Sequence, residues 1–451
     1  MVCLGGSVVL RPSHLAARLR MACYLVLLGV LAFTTAHGQP AEVEIRIGLQ
    51  TKQATVCVQS MSPLRVTGGL SVYNAPAEQL LVCTPVDGGV HVADKDGAVL
   101  LTAGGPVLIA PDKTASAALP ENSRPTLFIR LLGPTRHYDG KADRPYRGVF
   151  EILPRDGGLT VVNRVPLEPY LWGVVSSEMG PAFPAEALKA QAVAARTYAV
   201  KNIGRFSALG YDLDDTPGSQ VYGGVFSEDP RTTQAVTDTT GMLLRYNGQL
   251  VDALYASTCG GYTEAASEAY GHDVPYLRSV SDFSDAPKTV YPRPTTEDEW
   301  LAYFKSMKAL NCLQPVYANP QAFRWVVMLK RKDLEAALPA GLQVGTIMNL
   351  TPVRRGASGR LTALRIEGAD RGVTVEKEAQ IRHYLGGLRS SAFAIETFRD
   401  DNGVPVVFAI WGGGWGHGLG MCQVGAVGLA LQGLSYEKIL SYYYQGVSIG
   451  Q

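Results

Sequence analysis

The strongest helix signal in the sequence is the stretch Pro184-Ala-Glu-Ala-Leu-Lys-Ala-Gln-Ala-Val-Ala-Ala-Arg-Thr-Tyr-Ala199. Proline is well tolerated in the first turn of a helix, and no glycine or proline follows between Ala185 and about Asn202. Alanine, the best helix former, is frequent throughout. At helical spacing, one face carries Leu188, Ala192, Ala195 and Ala199. Because such small side chains let a neighbour approach closely, we expect this helix to pack against a sheet.

Short strands separated by turns dominate the sequence before this helix. From Glu42 to about Ile129, apolar residues alternate with polar ones, as in Val43-Glu-Ile-Arg-Ile47 and Val90-His-Val-Ala-Asp94. Turn residues such as Asp87-Gly88-Gly89 separate these runs, which is the pattern of strands joined by tight turns. The region contains no cluster of acid/base or nucleophilic residues. We interpret residues 39–135 as a β-rich accessory domain.

The remainder of the sequence mixes strand and helix patterns. Strands are predicted at 145–165, 360–366 and 405–410, and a final helix from about Gln423 to Tyr444. Residues 284–345 differ, because prolines there precede one amphipathic and one charged stretch, and we interpret them as a peripheral insertion. The predicted fold class is therefore α+β, strand-rich, with the β accessory domain followed by a mixed α/β domain over residues 136–451.

Residues 1–38 have the three-part pattern of a secretory signal. Arg11, Arg18 and Arg20 form a positive flank, Tyr24–Phe33 is apolar, and small residues stand at 36 and 38. The apolar run is about half the roughly twenty residues that a spanning helix needs. The alternative is an uncleaved N-terminal anchor. We expect an exported protein of the periplasm or cell envelope, which meets a membrane only if this segment is retained.

Composition excludes several classes of protein. The 41 Lys+Arg nearly balance the 40 Asp+Glu, so a nucleic-acid binder that relies on a basic surface is not expected. The hydrophobic fraction of 46% is too high for a disordered chain. No glycine-rich segment has the spacing of a phosphate-binding loop, and no serine or cysteine sits in a nucleophile elbow. What remains is an ordinary globular protein.

The cysteines beyond the signal leave several pairings open. They are Cys57, Cys83, Cys259, Cys312 and Cys422. Their number is odd, so at least one is unpaired or pairs outside the chain. Cys57 and Cys83 lie in one strand-rich region where they could bridge, and Cys259 and Cys422 are interpreted as buried thiols or a disulfide. A zinc site needs three or four ligands. His417 and Cys422 are close in sequence, and Cys259 and His272 could join them only through the fold, so we predict neither a metal nor a cofactor.

Two segments could carry chemistry. In the loop Trp411-Gly-Gly-Gly-Trp-Gly-His-Gly-Leu-Gly420, backbone N–H groups can approach a ligand closely, and Trp415 and His417 project from it; the alternative is a tight strand-to-helix turn.

Glu178 lies within Val174-Val-Ser-Ser-Glu-Met-Gly-Pro181. A carboxyl among such apolar and small residues can be partly desolvated, which raises its pKa and lets it hold a proton near neutral pH. The alternative is that it caps the following turn.

Several long motifs resemble the SpoIID/LytB family. They are Tyr170-Leu-Trp-Gly-Val-Val-Ser-Ser-Glu-Met179, the helix stretch of 184–199, Ser257-Thr-Cys-Gly-Gly-Tyr-Thr263, Pro275-Tyr-Leu-Arg-Ser-Val280, and Gly414-Trp-Gly-His-Gly-Leu-Gly-Met-Cys-Gln-Val-Gly-Ala426 through Tyr442-Tyr-Tyr-Gln-Gly446. The resemblance runs in order from about residue 140 to the C-terminus, interrupted by 284–345. The family includes a peptidoglycan lytic transglycosylase and an enhancer of a wall amidase.

The resemblance implies roles for particular residues. The family's catalytic glutamate matches Glu178, and a functionally required arginine matches Arg196, which would orient the sugar or stabilise charge. The substrate-binding residues implied for the cleft are Lys189, Gln191, Tyr262, Trp415, His417, Gln423 and Tyr443 or its neighbour Tyr444. Some members bind a structural zinc through Cys and His just before a Gln-Val-Tyr motif. The matching stretch here, Tyr211–Tyr222, has neither residue type, so this zinc is not predicted.

The implied activity is cleavage between N-acetylmuramic acid and N-acetylglucosamine, with 1,6-anhydro ends as product and one glutamate as acid and base. Most glycosidases need two carboxylates, but a lytic transglycosylase can work with one. The implied partner is the peptidoglycan glycan strand. Two rivals remain: a non-catalytic peptidoglycan-binding enhancer of a cell-wall amidase, and an inert structural component of the envelope.

Overall fold

The computed structural model describes residues 43–112, 129–132, 143–284, 292–307, 310–317 and 319–451, and of 129–132 only the backbone. These ranges belong to one unit that runs from Val43 to Gln451. The predicted secretory signal lies outside the described residues. Within these ranges, no helix is both long and apolar enough to cross a membrane.

The described part contains both helices and strands, which confirms the α+β class. The strands are β1 (Glu44–Gln53), β2 (Val56–Gln59), β3 (Leu64–Gly68), β4 (Ser71–Ala75), β5 (Leu81–Val86), β6 (Gly89–Ala93), β7 (Val99–Ala103), β8 (Val107–Pro111), β9 (Ile129–Leu132), β10 (Arg144–Tyr146), β11 (Val149–Arg155), β12 (Gly158–Pro166), β13 (Leu213–Asp214), β14 (Leu243–Tyr246), β15 (Gln249–Leu250), β16 (Tyr255–Ala256), β17 (Arg324–Lys330), β18 (Ile347–Arg355), β19 (Leu361–Gly368), β20 (Gly372–Glu376), β21 (Phe393–Arg399), β22 (Pro405–Gly413), β23 (Met421–Cys422) and β24 (Ser448–Gly450). The helices are α1 (Leu167–Glu178), α2 (Ala185–Lys201), α3 (Pro230–Asp238), α4 (Ala266–Tyr270), α5 (Glu297–Lys305), α6 (Pro320–Phe323), α7 (Arg331–Ala337), α8 (Glu378–Tyr384), α9 (Gln423–Leu431) and α10 (Tyr436–Tyr443).

Two large sheets share one hydrophobic core. The first has the order β13-β1-β12-β11-β8-β3-β4 and the second β10-β9-β2-β5-β6-β7. Because alternate side chains of a strand point to opposite faces, Ile45 and Ile47 of β1 are buried together and meet Val56 and Val58 of β2 in the same cluster. The first half of the described chain is therefore two sheets packed around a common apolar layer.

The domain boundary predicted near residue 135 falls within these two sheets and their shared core. Strand β1 pairs with β12, with Ile45 opposite Val165, and β8 pairs with β11, with Ile109 opposite Phe150. The β-rich region assigned to 39–135 and the first strands of the region 136–451 thus share a sheet and a core. Pairing between strands so far apart in sequence leaves no local pattern, which is why the sequence suggested two separate bodies.

Helix α2 lies where the predicted helix of 184–202 was expected. It begins after Pro184, whose missing N–H is not needed in a first turn. One side packs into the core of the two large sheets through residues such as Ala192 and Ala195. The opposite side packs into a second cluster through residues such as Ala190 and Val193. Small side chains on both sides let α2 lie between the two cores and fix the position of its neighbours.

The C-terminal half differs from the expectation in two respects. The segment 284–345 is not peripheral, because Trp300, Tyr303 and Phe304 on one side of α5 are buried and β17 pairs along β22. The single helix expected over 423–444 is divided into α9 and α10. Gly433 lies between them with a φ of 86°, a left-handed conformation that suits glycine and ends a helix.

Candidate active site

Glu178 is the last residue of α1. The chain leaves the helix at Met179, which is extended with φ −132° and ψ 141°, and Gly180-Pro181 prevents a further turn. The Glu178 side chain is half-buried. Its Oε1 accepts the backbone N–H of Val221 at 2.9 Å, and its Oε2 accepts the Nε2 amide of Gln423 at 3.3 Å. The end of one helix and the start of another therefore meet at this carboxyl.

Burial raises the pKa of Glu178 above its ordinary value. Three donors act in the opposite direction and stabilise the carboxylate, namely the Val221 N–H, the Gln423 amide and the Tyr255 hydroxyl. Burial is the largest of these effects, so the net shift is upward. The carboxyl can therefore keep a proton at higher pH than an exposed glutamate, while its donors are ready to stabilise the charge once the proton leaves.

A short parallel ladder brings Tyr255 and Gln423 to the same place. Strand β16 pairs with β23, with Tyr255 opposite Met421 and Ala256 opposite Cys422. Gln423 follows directly as the first residue of α9. Two segments that are distant in sequence are thus held side by side, and both present a donor to Glu178.

Gln220 holds the Tyr255 hydroxyl, which acts on the pKa of Glu178. The Nε2 of Gln220 donates to the Tyr255 hydroxyl oxygen at 2.8 Å, and the Oε1 of Gln220 accepts the Tyr170 hydroxyl at 3.3 Å. Since the Tyr255 oxygen accepts from Gln220, its own proton is free to go to Glu178. Gln220 is completely buried, so this chain of hydrogen bonds is fixed by the protein interior.

Gln191 of α2 stands on the other side of Gln423. Its Oε1 accepts the Gln423 Nε2 at 3.5 Å, and the residue is fully buried. Its own Nε2 has no hydrogen-bond partner among the described residues. A buried donor without a partner is costly, and this one lies one side chain away from the Glu178 carboxyl. The structure thus brings together three of the predicted site residues: Glu178, Gln191 and Gln423.

The glycine-rich loop contributes one exposed ring and one internal contact. Trp415 is 45% exposed, with the Arg389 guanidinium 5.5 Å from its ring centre. His417 faces inward, and its Nδ1 accepts the Leu419 N–H at 3.0 Å. Burial, assisted by the positive charge of Arg360, lowers the pKa of His417 to about 4 against the effect of the Tyr255 carbonyl. His417 is therefore neutral near pH 7 and holds the backbone of Tyr255.

Arg196 lies away from Glu178, unlike the role implied for it. Its Nε and Nη2 donate to the two carboxylate oxygens of Glu168, each at 2.7 Å, and Nη2 also donates to the Val236 carbonyl at 3.1 Å. Glu168 is in the first turn of α1 and Glu178 is its last residue, which separates them by about 15 Å along the helix axis. Arg196 therefore joins α1, α2 and α3 from within the core.

Three other predicted substrate-binding residues also have their contacts elsewhere. Lys189 forms ion pairs with Glu186 and Asp238, both at 3.2 Å. Tyr262 is 2% exposed and packs against Phe283 and Tyr303. Tyr443 is fully buried, and its hydroxyl donates to Asp282 at 2.7 Å; the neighbouring Tyr444 is also buried, and its hydroxyl donates to the Leu254 carbonyl. The geometry joins none of these side chains to the Glu178 carboxyl.

Tyr255, Gln220 and the Val221 N–H were not predicted from the sequence. Gln220-Val221-Tyr222 matches a family motif whose only implied role was to follow the zinc ligands of some members. Tyr255 stands just before the Ser257–Thr263 motif, which is the one signal that pointed to its neighbourhood. Asp282 was not predicted either; it lies with Cys259, Cys312 and Cys422 in a buried group whose side chains could hold a metal ion.

Comparison with known proteins agrees with the motifs. A family model described as stage II sporulation protein, SpoIID, matches residues 155–246, which include α1 and α2. A second model, described as a domain of unknown function, matches residues 264–420. The first match contains Glu178, Gln191 and Gln220, whereas Gln423 lies beyond both.

Three relatives span most of this chain. Stage II sporulation protein D of Bacillus subtilis (strain 168) is 32% identical over 305 residues, which are 64% of this chain and 76% of the relative. An uncharacterized protein of Brachyspira hyodysenteriae is 31% identical over 306 residues, 67% of this chain and 72% of the relative. The amidase enhancer of Bacillus subtilis (strain 168) is 30% identical over 298 residues, 62% of this chain but 40% of the relative. The chain belongs to the SpoIID family.

Proposed function

We propose that this protein is a peptidoglycan lytic transglycosylase that cleaves glycan strands between N-acetylmuramic acid and N-acetylglucosamine. The observation that carries the proposal is the setting of Glu178, a half-buried carboxyl with a raised pKa that accepts hydrogen bonds from Val221 and Gln423 and is stabilised by the Tyr255 hydroxyl. Among the described groups that act on the pKa of Glu178, none is a second carboxylate. This favours a reaction that one carboxyl can complete, whereas ordinary glycosidases use two.

In the first step, Glu178 acts as the general acid. Its proton passes to the glycosidic oxygen while the bond from that oxygen to the anomeric carbon of N-acetylmuramic acid breaks, and N-acetylglucosamine leaves with a free hydroxyl. The Val221 N–H, the Gln423 amide and the Tyr255 hydroxyl stabilise the carboxylate that results. General acid catalysis of this kind contributes about 10²–10⁴-fold in rate.

In the second step, the same carboxylate acts as the base. It takes the proton of the C6 hydroxyl of N-acetylmuramic acid while the C6 oxygen bonds to the anomeric carbon, which gives the 1,6-anhydro ring. Glu178 is protonated again, and no water is consumed. A group that acts as both acid and base works best when its pKa lies near the working pH. Burial raises the pKa of Glu178 in that direction, and the three donors limit the rise.

Two further groups offer contacts for the glycan. The Gln191 Nε2 is a buried donor without a partner in the described part of the chain, and it suits the carbonyl oxygen of an acetamido group. The exposed ring of Trp415 suits the apolar face of a sugar. Such a substrate would place the protein in the cell envelope, consistent with the secretory signal expected at residues 1–38.

A second candidate function rests on the relative named amidase enhancer. In this alternative the protein binds peptidoglycan and activates a separate cell-wall amidase, and Glu178 only shapes the groove. The two functions differ in what Glu178→Gln does. Loss of the carboxyl stops the transglycosylase, but leaves a binding protein able to hold its ligand.

The test is digestion of purified glycan strands free of stem peptides. We expect wild-type protein to release 1,6-anhydro ends and Glu178→Gln to lower the rate by about 10²–10⁴-fold. Glu268→Gln is the matched control, because Glu268 is an exposed helical glutamate in α4. If wild-type protein yields no anhydro product while it still sediments with wall sacculi and stimulates an amidase, the enhancer function replaces the enzyme.

A further inference from the structure

Three cysteines and one aspartate from four separate segments meet in the interior. The sulfur atoms of Cys259, Cys312 and Cys422 and a carboxylate oxygen of Asp282 all lie within 4.8 Å of one another. Asp282 is fully buried and each cysteine is 1% exposed. The glycan chemistry proposed for Glu178 uses none of these four groups. We propose that they bind one Zn²⁺ ion as a structural site.

The distances fit a tetrahedral ion. With Zn–S bonds of about 2.3 Å, two sulfur atoms of a tetrahedral site are about 3.8 Å apart. The Cys259 and Cys312 sulfur atoms are 3.7 Å apart, and the Cys259 sulfur lies 3.1 Å from Oδ2 of Asp282. Three thiolates and one carboxylate also give zinc the same total ligand charge as the four cysteines of common structural sites.

The surroundings hold these ligands in place. The N–H groups of Cys259 and Gly425 donate to the Cys422 sulfur at 3.1 and 3.3 Å, and the Gly261 N–H donates to the Cys259 sulfur at 3.4 Å. The Tyr443 hydroxyl donates to Oδ1 of Asp282 at 2.7 Å, which leaves Oδ2 directed at the sulfur atoms. Outer hydrogen bonds that orient thiolates and carboxylates are typical of built metal sites.

A disulfide accounts for less of this arrangement. Bonded sulfur atoms are about 2.05 Å apart, well below the 3.7 Å between Cys259 and Cys312. One disulfide among three cysteines would also leave the third sulfur and the buried Asp282 carboxyl outside the bond. A carboxylate without water is costly unless it is paired or bound to a metal. A bound ion explains why all four side chains converge, whereas a disulfide would explain the position of only two of them.

Zinc at this position would stabilise the segments that carry Tyr255 and Gln423, two of the donors to Glu178. Cys422 directly precedes Gln423, which donates to Glu178, and its sulfur also accepts an N–H in the first turn of α9. Cys312 comes from the segment 284–345, and Cys259 follows β16, which carries Tyr255. The ion would tie these segments together and so hold two of the donors to Glu178. The site does not depend on the proposed transglycosylase activity, since an enhancer would need the same framework.

Elemental analysis of the intact protein tests the site. Protein produced with zinc in the medium and purified without chelator is expected to carry about one zinc per chain. Cys312→Ser and Cys422→Ser are expected to reduce zinc to background. Cys57→Ser and Cys83→Ser are the matched controls and should keep it, because both residues lie in the six-stranded sheet on β2 and β5.

Two further measurements on wild-type protein do not depend on how the variants fold. Exchange of the metal for Co²⁺ should give the intense thiolate-to-cobalt absorption of a tetrahedral site, and intact mass without reduction should show all three thiols reduced. Zinc at background in wild-type protein after dialysis against Zn²⁺ would overturn the proposal. So would a disulfide between any two of Cys259, Cys312 and Cys422. A protein that lacks zinc but cleaves glycan would overturn the metal site and support the proposed activity. A protein that binds zinc but does not cleave glycan would support the metal site and overturn the activity.

Discussion

Replacing Arg196 by methionine should lower the stability of the protein through a single buried ion pair. The guanidinium is 1% exposed and holds Glu168 through two bonds of 2.7 Å. Removing one partner of a buried pair costs about 3–5 kcal/mol, because the remaining charge is left uncompensated. The Glu168 side chain is 22% exposed and can be solvated in part. We therefore expect the free energy of unfolding to fall by about 3 kcal/mol, at the lower end of that range.

Urea unfolding at neutral pH, followed by tryptophan fluorescence, measures this loss. The double variant Arg196→Met with Glu168→Leu should recover much of the stability, because no charge is then left unpaired. Arg231→Met is the control, since Arg231 is exposed on α3, and surface changes usually stay within about 0.5 kcal/mol. An Arg196→Met protein that unfolds like wild type but no longer cleaves glycan strands would refute this reasoning, and Arg196 would then act on the substrate.

Three further predictions concern Gln423, His417 and Trp415. Gln423→Met removes a donor that favours the carboxylate, so the pKa of Glu178 should rise. The alkaline limb of the pH–rate profile should therefore move up by about one pH unit, which is the value of a weak hydrogen bond to a charge. If the limb does not move, the Gln423 amide does not stabilise the carboxylate. His417 has a pKa of about 4 in the folded protein, against about 6.5 when unfolded. Stability should therefore fall as the pH drops from about 6.5 toward 4, and thermal unfolding of His417→Gln should lose that part of the pH dependence. Trp415→Ala should weaken sedimentation with wall sacculi, whereas Glu178→Gln should still sediment; equal binding by Trp415→Ala would remove the ring from the groove.

Local features of the sequence predicted local structure well. Helix α2 was expected over 184–202 and forms over Ala185–Lys201, because alanine content and an N-terminal proline act within the helix itself. The break between α9 and α10 was missed, although Gly433 was visible, because a single glycine in a long apolar pattern is compatible with either outcome.

Contacts between distant segments could not be predicted in the same way. Glu178 and Gln423 were each singled out from motifs, but their hydrogen bond joins residues that lie 245 positions apart. Nothing in the local pattern around Tyr255 indicates that β16 pairs with β23 and carries its hydroxyl to Glu178. The position of Gln220 between Tyr170 and Tyr255 likewise becomes visible only once the three segments are packed.

Arg196 and the cysteines show contacts that only packing reveals. The resemblance implied a role for Arg196 at the sugar, but the buried pair with Glu168 gives a structural reason for needing that arginine. Cys259 and Cys422 were interpreted as buried thiols or a disulfide, and in the structure both are buried thiols without a disulfide. No sequence signal connects Asp282 and Cys312 to them, so the group of four side chains for which zinc is proposed was not expected. Side chains from four segments come together only in the folded chain.

In the proposed reaction one carboxyl, Glu178, moves both protons of the cleavage, and no water takes part. Digestion of stem-peptide-free glycan strands in isotopically labelled water tests it most directly, with mass spectrometry of the new ends. We expect 1,6-anhydro ends without label from wild-type protein and from Glu268→Gln, and almost none from Glu178→Gln. Labelled reducing ends from wild-type protein, or undiminished anhydro product from Glu178→Gln, would contradict it.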